Sequence, residues 1–178
     1  MIFKIAKMIY EERKRDKQYC QMTISDLKAL SSDEFLEALS ARILQEEGHM
    51  DVEESLVYFE GAKRIFFIVD YFDMEIQDGG LCQFFVNSSR MVAPYIIEAL
   101  KEINAIRYKE LLEKFICDNR LSMEDLASFE VEDIEEYEQK LERYPFDEFD
   151  EVYCELYEIE PLNMLLENYC RRHIADFA

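Results

Sequence analysis

The chain has 178 residues, 49% of them hydrophobic, with 40 Asp and Glu against 20 Lys and Arg. Its net charge is −20 and its pI about 4.4. Four glycines and three prolines exclude a turn-rich all-β fold, and the charge works against direct contact with nucleic acid or an anionic membrane.

A chain of this length and apolar content builds one helical domain with a substantial core. Its acidic surface attracts basic proteins or cations, or is simply solvated. Five cysteines without a CxxC pair read as reduced, mostly buried thiols in a cytoplasm. The early lysines of Met-Ile-Phe-Lys-Ile-Ala-Lys interrupt a signal peptide, and no uncharged run reaches the roughly 20 residues that span a bilayer.

Residues 1–19 predict an amphipathic helix with Ile2, Ile5 and Ile9 on one face and a local charge of +3. It docks on the chain's own acidic surface or contacts a partner or anionic surface. Thr23 to Leu30 reads as a connector with a helical turn. Ser31, with Glu34 three residues on, predicts a capping box for a helix carrying Phe35, Leu36, Leu39, Ile43 and Leu44, and Gly48 stops it. His49 follows in a loop.

A long helix is predicted from Val52 to Asp78, with Gly61 allowing a kink or a close helix crossing. From Ile65 to Ile76 it is apolar nearly all round, as in a helix buried within a bundle. Asp70, Asp73 and Gln77 share its polar edge. Glu75 lies on the apolar side, where a carboxylate needs donors. The backbone N–H groups around Leu81 to Gln83 are the nearest. Gly79 and Gly80 mark a turn with positive φ, after which Leu81, Phe84 and Phe85 resume helical spacing in a short helix folded back on the first.

Further helices are predicted over Pro94–Ile103, Tyr108–Asn119, a short one capped at Ser122 to Asp125, an exposed one over 131–143, and a last one from Pro161. In the last, Leu162, Leu165, Leu166 and Tyr169 face inward, and Arg171 and Arg172 favour its C-terminal dipole. The whole is an all-α, single-domain orthogonal bundle of about seven to nine helices.

Motifs for catalysis are missing: there is no phosphate loop, GxSxG or HExxH, and the two histidines are far apart. No enzymatic activity, cofactor or metal is expected. Cys82 reads as a buried structural thiol, with a depressed pKa at a helix N-terminus as the competing reading. The run Asp147-Glu148-Phe149-Asp150-Glu151 lacks EF-hand spacing.

Charge placement carries the signal instead. Between Leu121 and Glu160 sixteen acids face only Lys140 and Arg143, a local charge of −14. The candidate partner-binding residues are Glu124, Asp125, Glu130, Glu132, Asp133, Glu135, Glu136, Glu138, Glu142, Asp147, Glu148, Asp150 and Glu151. Interleaved aromatics, Phe129, Tyr137, Tyr144, Phe146, Phe149, Tyr153 and Tyr157, mark the stretch as folded. A rigid array of carboxylates stands in for a phosphate backbone and engages a DNA-binding protein, or is only a solvated face.

Glu75, Gly79, Gly80, Gln83, Phe84, Phe85, Asn87 and Ser88 match a pattern Glu-x-x-Asn-Gly-Gly-x-x-Gln-aromatic-Phe-x-Asn-Ser, with Asp78 in place of the Asn. By this motif the chain resembles the DNA-mimic-like protein family, long catalogued as a domain of unknown function, over about residues 55–175. The resemblance implies an all-helical fold and, for the characterised branch, a dimeric acidic protein that occupies the DNA-binding surface of a transcription regulator.

The leading expectation is a non-enzymatic cytoplasmic protein that binds a basic, nucleic-acid-binding protein through the Leu121–Glu160 face. The alternatives are a small-molecule or catalytic site around Glu75, Gln83 and Asn87, and an immunity-type inhibitor of a basic toxin.

Overall fold

A computed structural model describes residues 13–124 and 129–178. The described residues are helical and contain no strand, as composition and spacing predict. Residues 13–21 are helical (α1). They are followed by α2 (Ile24–Ala29), α3 (Ser32–Glu47), α4 (Val52–Tyr58) and α5 (Gly61–Val86). A 3-10 turn at Ser88–Val92 leads to α6 (Ala93–Glu102) and α7 (Ile106–Asn119). Then come α8 (Ile134–Arg143), α9 (Phe146–Ile159), α10 (Leu162–Arg172) and a closing 3-10 turn, Ile174–Phe177. The predicted helix over 1–19 and the predicted Ser122–Asp125 helix fall largely or partly outside the described residues.

Local chemistry sets most helix starts. Glu34 accepts from the Ser31 hydroxyl at 2.6 Å and its N–H at 3.4 Å, and Gly48 ends the helix at φ +59°. Asp51 and Glu54 exchange reciprocal backbone-to-side-chain bonds at α4, as do Thr23 and Asp26 at α2. Pro94 stands in the first turn of α6 and Pro161 precedes α10, where a missing N–H costs nothing.

The predicted Val52–Asp78 helix is two helices. The chain is extended at Phe59 and Glu60, and Gly61 opens α5 at φ +55°. Gly61 therefore begins a helix and does not kink one. The cause is distant in sequence: the Asp176 carboxylate accepts from the Ala62 N–H at 3.0 Å and caps the new helix. A Cβ on Gly61 would lie 2.9 Å from that carboxylate.

Helix α5 is the centre of the core. It packs against α6, α9, α10 and both 3-10 turns, with Phe66, Phe67, Ile68, Val69, Phe72, Phe84 and Phe85 buried. Leu44 of α3 and Met74 of α5, expected inside, are 61% and 48% exposed. Arg42 ties three chain segments together, donating to the carbonyls of Tyr19, Met22 and Phe177. Arg171 of α10 pairs with Glu167 at 2.7 Å and lies over the Phe35 ring at 4.0 Å.

Candidate functional site

The Glu75–Ser89 motif forms a sharp bend inside α5. Only Gly80 takes the positive φ expected of the turn, at +77° with ψ −179°, while Gly79 has φ −160° and ψ 17°. Phe72 and Phe84 are twelve residues apart, about 18 Å along a straight helix, yet their rings meet edge to face at 5.1 Å. The segment after the glycines thus folds back on the one before, as the sequence predicts. Phe85 reaches the Phe115, Phe129 and Phe146 rings and joins the bend to the later helices.

Glu75 is buried, and its Oε2 accepts from Gln83 Nε2 at 2.8 Å and Asn87 Nδ2 at 2.9 Å. The carboxylate does tie the bend together, but through side-chain amides and not through backbone N–H groups. One of the backbone donors in the expected Leu81 to Gln83 stretch, the Leu81 N–H, donates instead to Asp150 Oδ1 of α9 at 2.9 Å. Asp150 thereby caps the start of the second half-helix, where the N-terminal dipole favours a carboxylate. Asp78 and Ser88 are exposed, and Asn87 ends α5, its carbonyl accepting from Arg90. Replacing Glu75 by Gln puts a donor between two amides that both donate. The loss of one hydrogen bond should cost about 1–2 kcal/mol, visible as a lower melting temperature; an unchanged value would show that Glu75 does not hold the bend.

The acidic region resolves into internal and outward carboxylates. Asp150 is half-buried against Leu81. Asp133 caps α8 by accepting from the Glu136 N–H at 3.0 Å, and Glu136 accepts from the Glu132 N–H at 2.8 Å. Glu130 pairs with Arg90 at 2.6 Å, and Glu124 accepts from the Ser122 hydroxyl at 3.0 Å. Asp125 lies outside the described residues.

Others point to solvent in order. On α9, Asp147, Glu151, Glu155 and Glu158 follow at steps of four, four and three residues and are all exposed. They form one stripe about 16 Å long at 1.5 Å per residue. Glu135, Glu138 and Glu142 form a shorter stripe along α8, a helix with no buried residue. Among the described residues none of these seven acids makes an ion pair, and neither does Glu148. Acids on other helices do: Glu46 with Lys63, Glu113 with Lys109, and Asp118 with Lys114, at 2.6–2.7 Å.

The DMP19-like protein family matches residues 58–173, which hold the Glu75 motif, the bend and both acidic helices. The chain belongs to this family. No curated protein matches it, and no solved structure does.

In this DMP19-like chain the other face of α9 carries a polar cluster that sequence reading missed. Spacing places Asp73 on a polar edge of α5, and in the fold that edge lies under α9. Asp73 accepts from the Tyr153 hydroxyl at 2.6 Å and the Tyr157 hydroxyl at 3.4 Å. Asp70 beside it accepts from Ser40 Oγ at 3.3 Å. Burial raises both carboxyls, and the neighbouring Asp73 charge helps push Asp70 to about 7. Tyr108 packs on Tyr153 at 5.1 Å and donates to the Glu160 carbonyl at 2.7 Å. The available signal was the spacing of Asp150, Tyr153 and Tyr157, which places three polar groups on the inward face of α9.

Thiol chemistry finds no support at Cys82, whose pKa rises to about 11 because the thiol is buried, so the depressed-pKa reading is overturned. Cys82 and Cys170 are buried, whereas Cys117 and Cys154 are exposed. Among the described residues, no group of three His, Cys, Asp or Glu side chains is placed to hold a metal ion, and no helix is long and apolar enough to cross a membrane.

Proposed function

We propose that the chain is an acidic binding protein that occupies the basic surface of a nucleic-acid-binding protein, with the outward carboxylates of α8 and α9 standing in for phosphates. The observation that carries this reading is the α9 stripe, Asp147, Glu151, Glu155 and Glu158, exposed and without counter-ions among the described residues. Surface charges held unpaired raise the local potential and steer a cationic partner. Rigidity supports the same reading. The inward face of α9 is fixed by Asp150 on Leu81 and by Tyr153 and Tyr157 on Asp73, so little ordering entropy remains to be lost on binding.

A basic partner should be recovered by pull-down at low salt, and its affinity should fall steeply as salt rises. Reversing Glu151, Glu155 and Glu158 to Lys should weaken binding roughly tenfold or more at low ionic strength, without lowering the melting temperature. Binding that is indifferent both to salt and to the reversal would sink the proposal. The small-molecule reading around Glu75, Gln83 and Asn87 draws less support, because the carboxylate is buried and held by the two amides.

A further inference from the structure

A cleft of about 320 Å³ runs between α7 and α9. Leu111, Phe115, Pro145, Phe149 and Val152 line it, and Glu148 stands on its rim. On the α7 side Lys114 is paired with Asp118 at 2.6 Å, so that rim is close to neutral. On the α9 side an apolar line continues along the helix. Val152 and Ile159, seven residues apart and therefore on one face, are 40% and 70% exposed. At 100° per residue, Glu148 and Glu155 fall between this apolar line and the rest of the acidic stripe. An apolar cleft therefore lies alongside a run of carboxylates that, among the described residues, make no ion pair within 4 Å.

A surface that bound small cations, or that worked by charge alone, would gain nothing from exposed Val152 and Ile159. Water contact with apolar side chains is unfavourable, and a contiguous apolar concavity with a polar rim, such as the one Leu111, Phe115, Pro145, Phe149 and Val152 line, is the kind of surface that marks protein contacts. The cleft's contents and its border together define the complement: an apolar side chain flanked by cations.

We propose that the α7–α9 cleft receives an apolar side chain of a basic amphipathic segment in the partner, whose Lys or Arg residues lie along the α9 carboxylates. This rests on the charge reading above and adds to it a second, salt-insensitive contribution. Charge brings the segment to the stripe, and burial of its apolar residue against Leu111 and Val152 holds it there.

Two synthetic peptides of equal length and equal lysine content test this by fluorescence anisotropy. One carries leucines at helical spacing between its lysines, and the other carries alanines at those positions. The leucine peptide should bind the intact chain about tenfold more tightly, the worth of one well-buried apolar side chain. Val152→Ser should remove that advantage while leaving the salt dependence of both peptides unchanged. Equal affinity of the two peptides, or an advantage that survives Val152→Ser, overturns the cleft proposal and leaves the charge reading standing. Failure of both peptides to bind at low salt overturns the charge reading, and the cleft proposal with it.

Discussion

Gly80→Ala should lower the melting temperature by about 10 °C, from a loss of roughly 3–4 kcal/mol in a chain of this length. Two costs combine. At φ +77° and ψ −179° the residue occupies a region that only glycine populates, since a Cβ there collides with its own backbone. A Cβ would also overlap the Asp150 carboxylate that caps the second half of α5. The two contributions can be separated. Asp150→Ala alone should cost about 1 kcal/mol as a lost cap. In the double variant the overlap is gone, so its loss should be smaller than the sum of the single ones by a measurable coupling energy. A Gly80→Ala protein that melts with the wild type would mean that α5 does not bend at this residue.

The second large effect concerns pH. Asp70 is half-buried beside Asp73, and its carboxyl is raised to about 7 by desolvation, with Ser40 as its hydrogen-bond donor among the described residues and Cys170 close by. The folded pKa lies above the unfolded value of about 3.9, so ionising Asp70 opposes folding. The penalty is full above pH 7 and fades as the pH falls from about 7 towards 4. Asp73 and Asp150 are raised too and act in the same direction. The chain should therefore be more stable at pH 5 than at pH 8, by about 2–3 kcal/mol from Asp70 alone. Asp70→Asn keeps an acceptor for Ser40 and removes the charge. It should raise the melting temperature at pH 8 and flatten the pH profile measured by differential scanning calorimetry. A variant less stable than wild type at pH 8 would contradict this reading.

Much of the fold follows from short-range chemistry and was legible on that account. The Ser31–Glu34 capping box, Gly48, Pro94 and Pro161 act within a few residues of where they stand. The paired glycines and the aromatic run after them fixed the bend in α5, and the same motif pointed to the family. What escaped acts across long separations. The break before α5 depends on Asp176, 114 residues from the Ala62 N–H it accepts from. The cap at Leu81 comes from Asp150, 69 residues away. Periodicity puts Glu75 on a buried face, but its donors are the side-chain amides of Gln83 and Asn87, whose geometry spacing does not encode.

The polar edge of α5 shows a different limit. Periodicity separates polar from apolar positions but does not tell water from a tyrosine hydroxyl. The polar edge that holds Asp73 meets Tyr153 and Tyr157. The acidic region had the same ambiguity: a count of sixteen acids treats Asp150 and Glu151 alike. One caps a buried half-helix and the other points outward. Only the folded arrangement divides α9 into an anchoring face and an outward stripe.

The proposed function is tested most directly by competition. The basic partner recovered at low salt is loaded onto fluorescently labelled duplex DNA, and the acidic chain is titrated in while anisotropy is followed. Displacement of the DNA by the wild-type chain, lost in the Glu151→Lys, Glu155→Lys, Glu158→Lys variant, is the expected result. A complex in which the partner holds the DNA and the acidic chain together would contradict it.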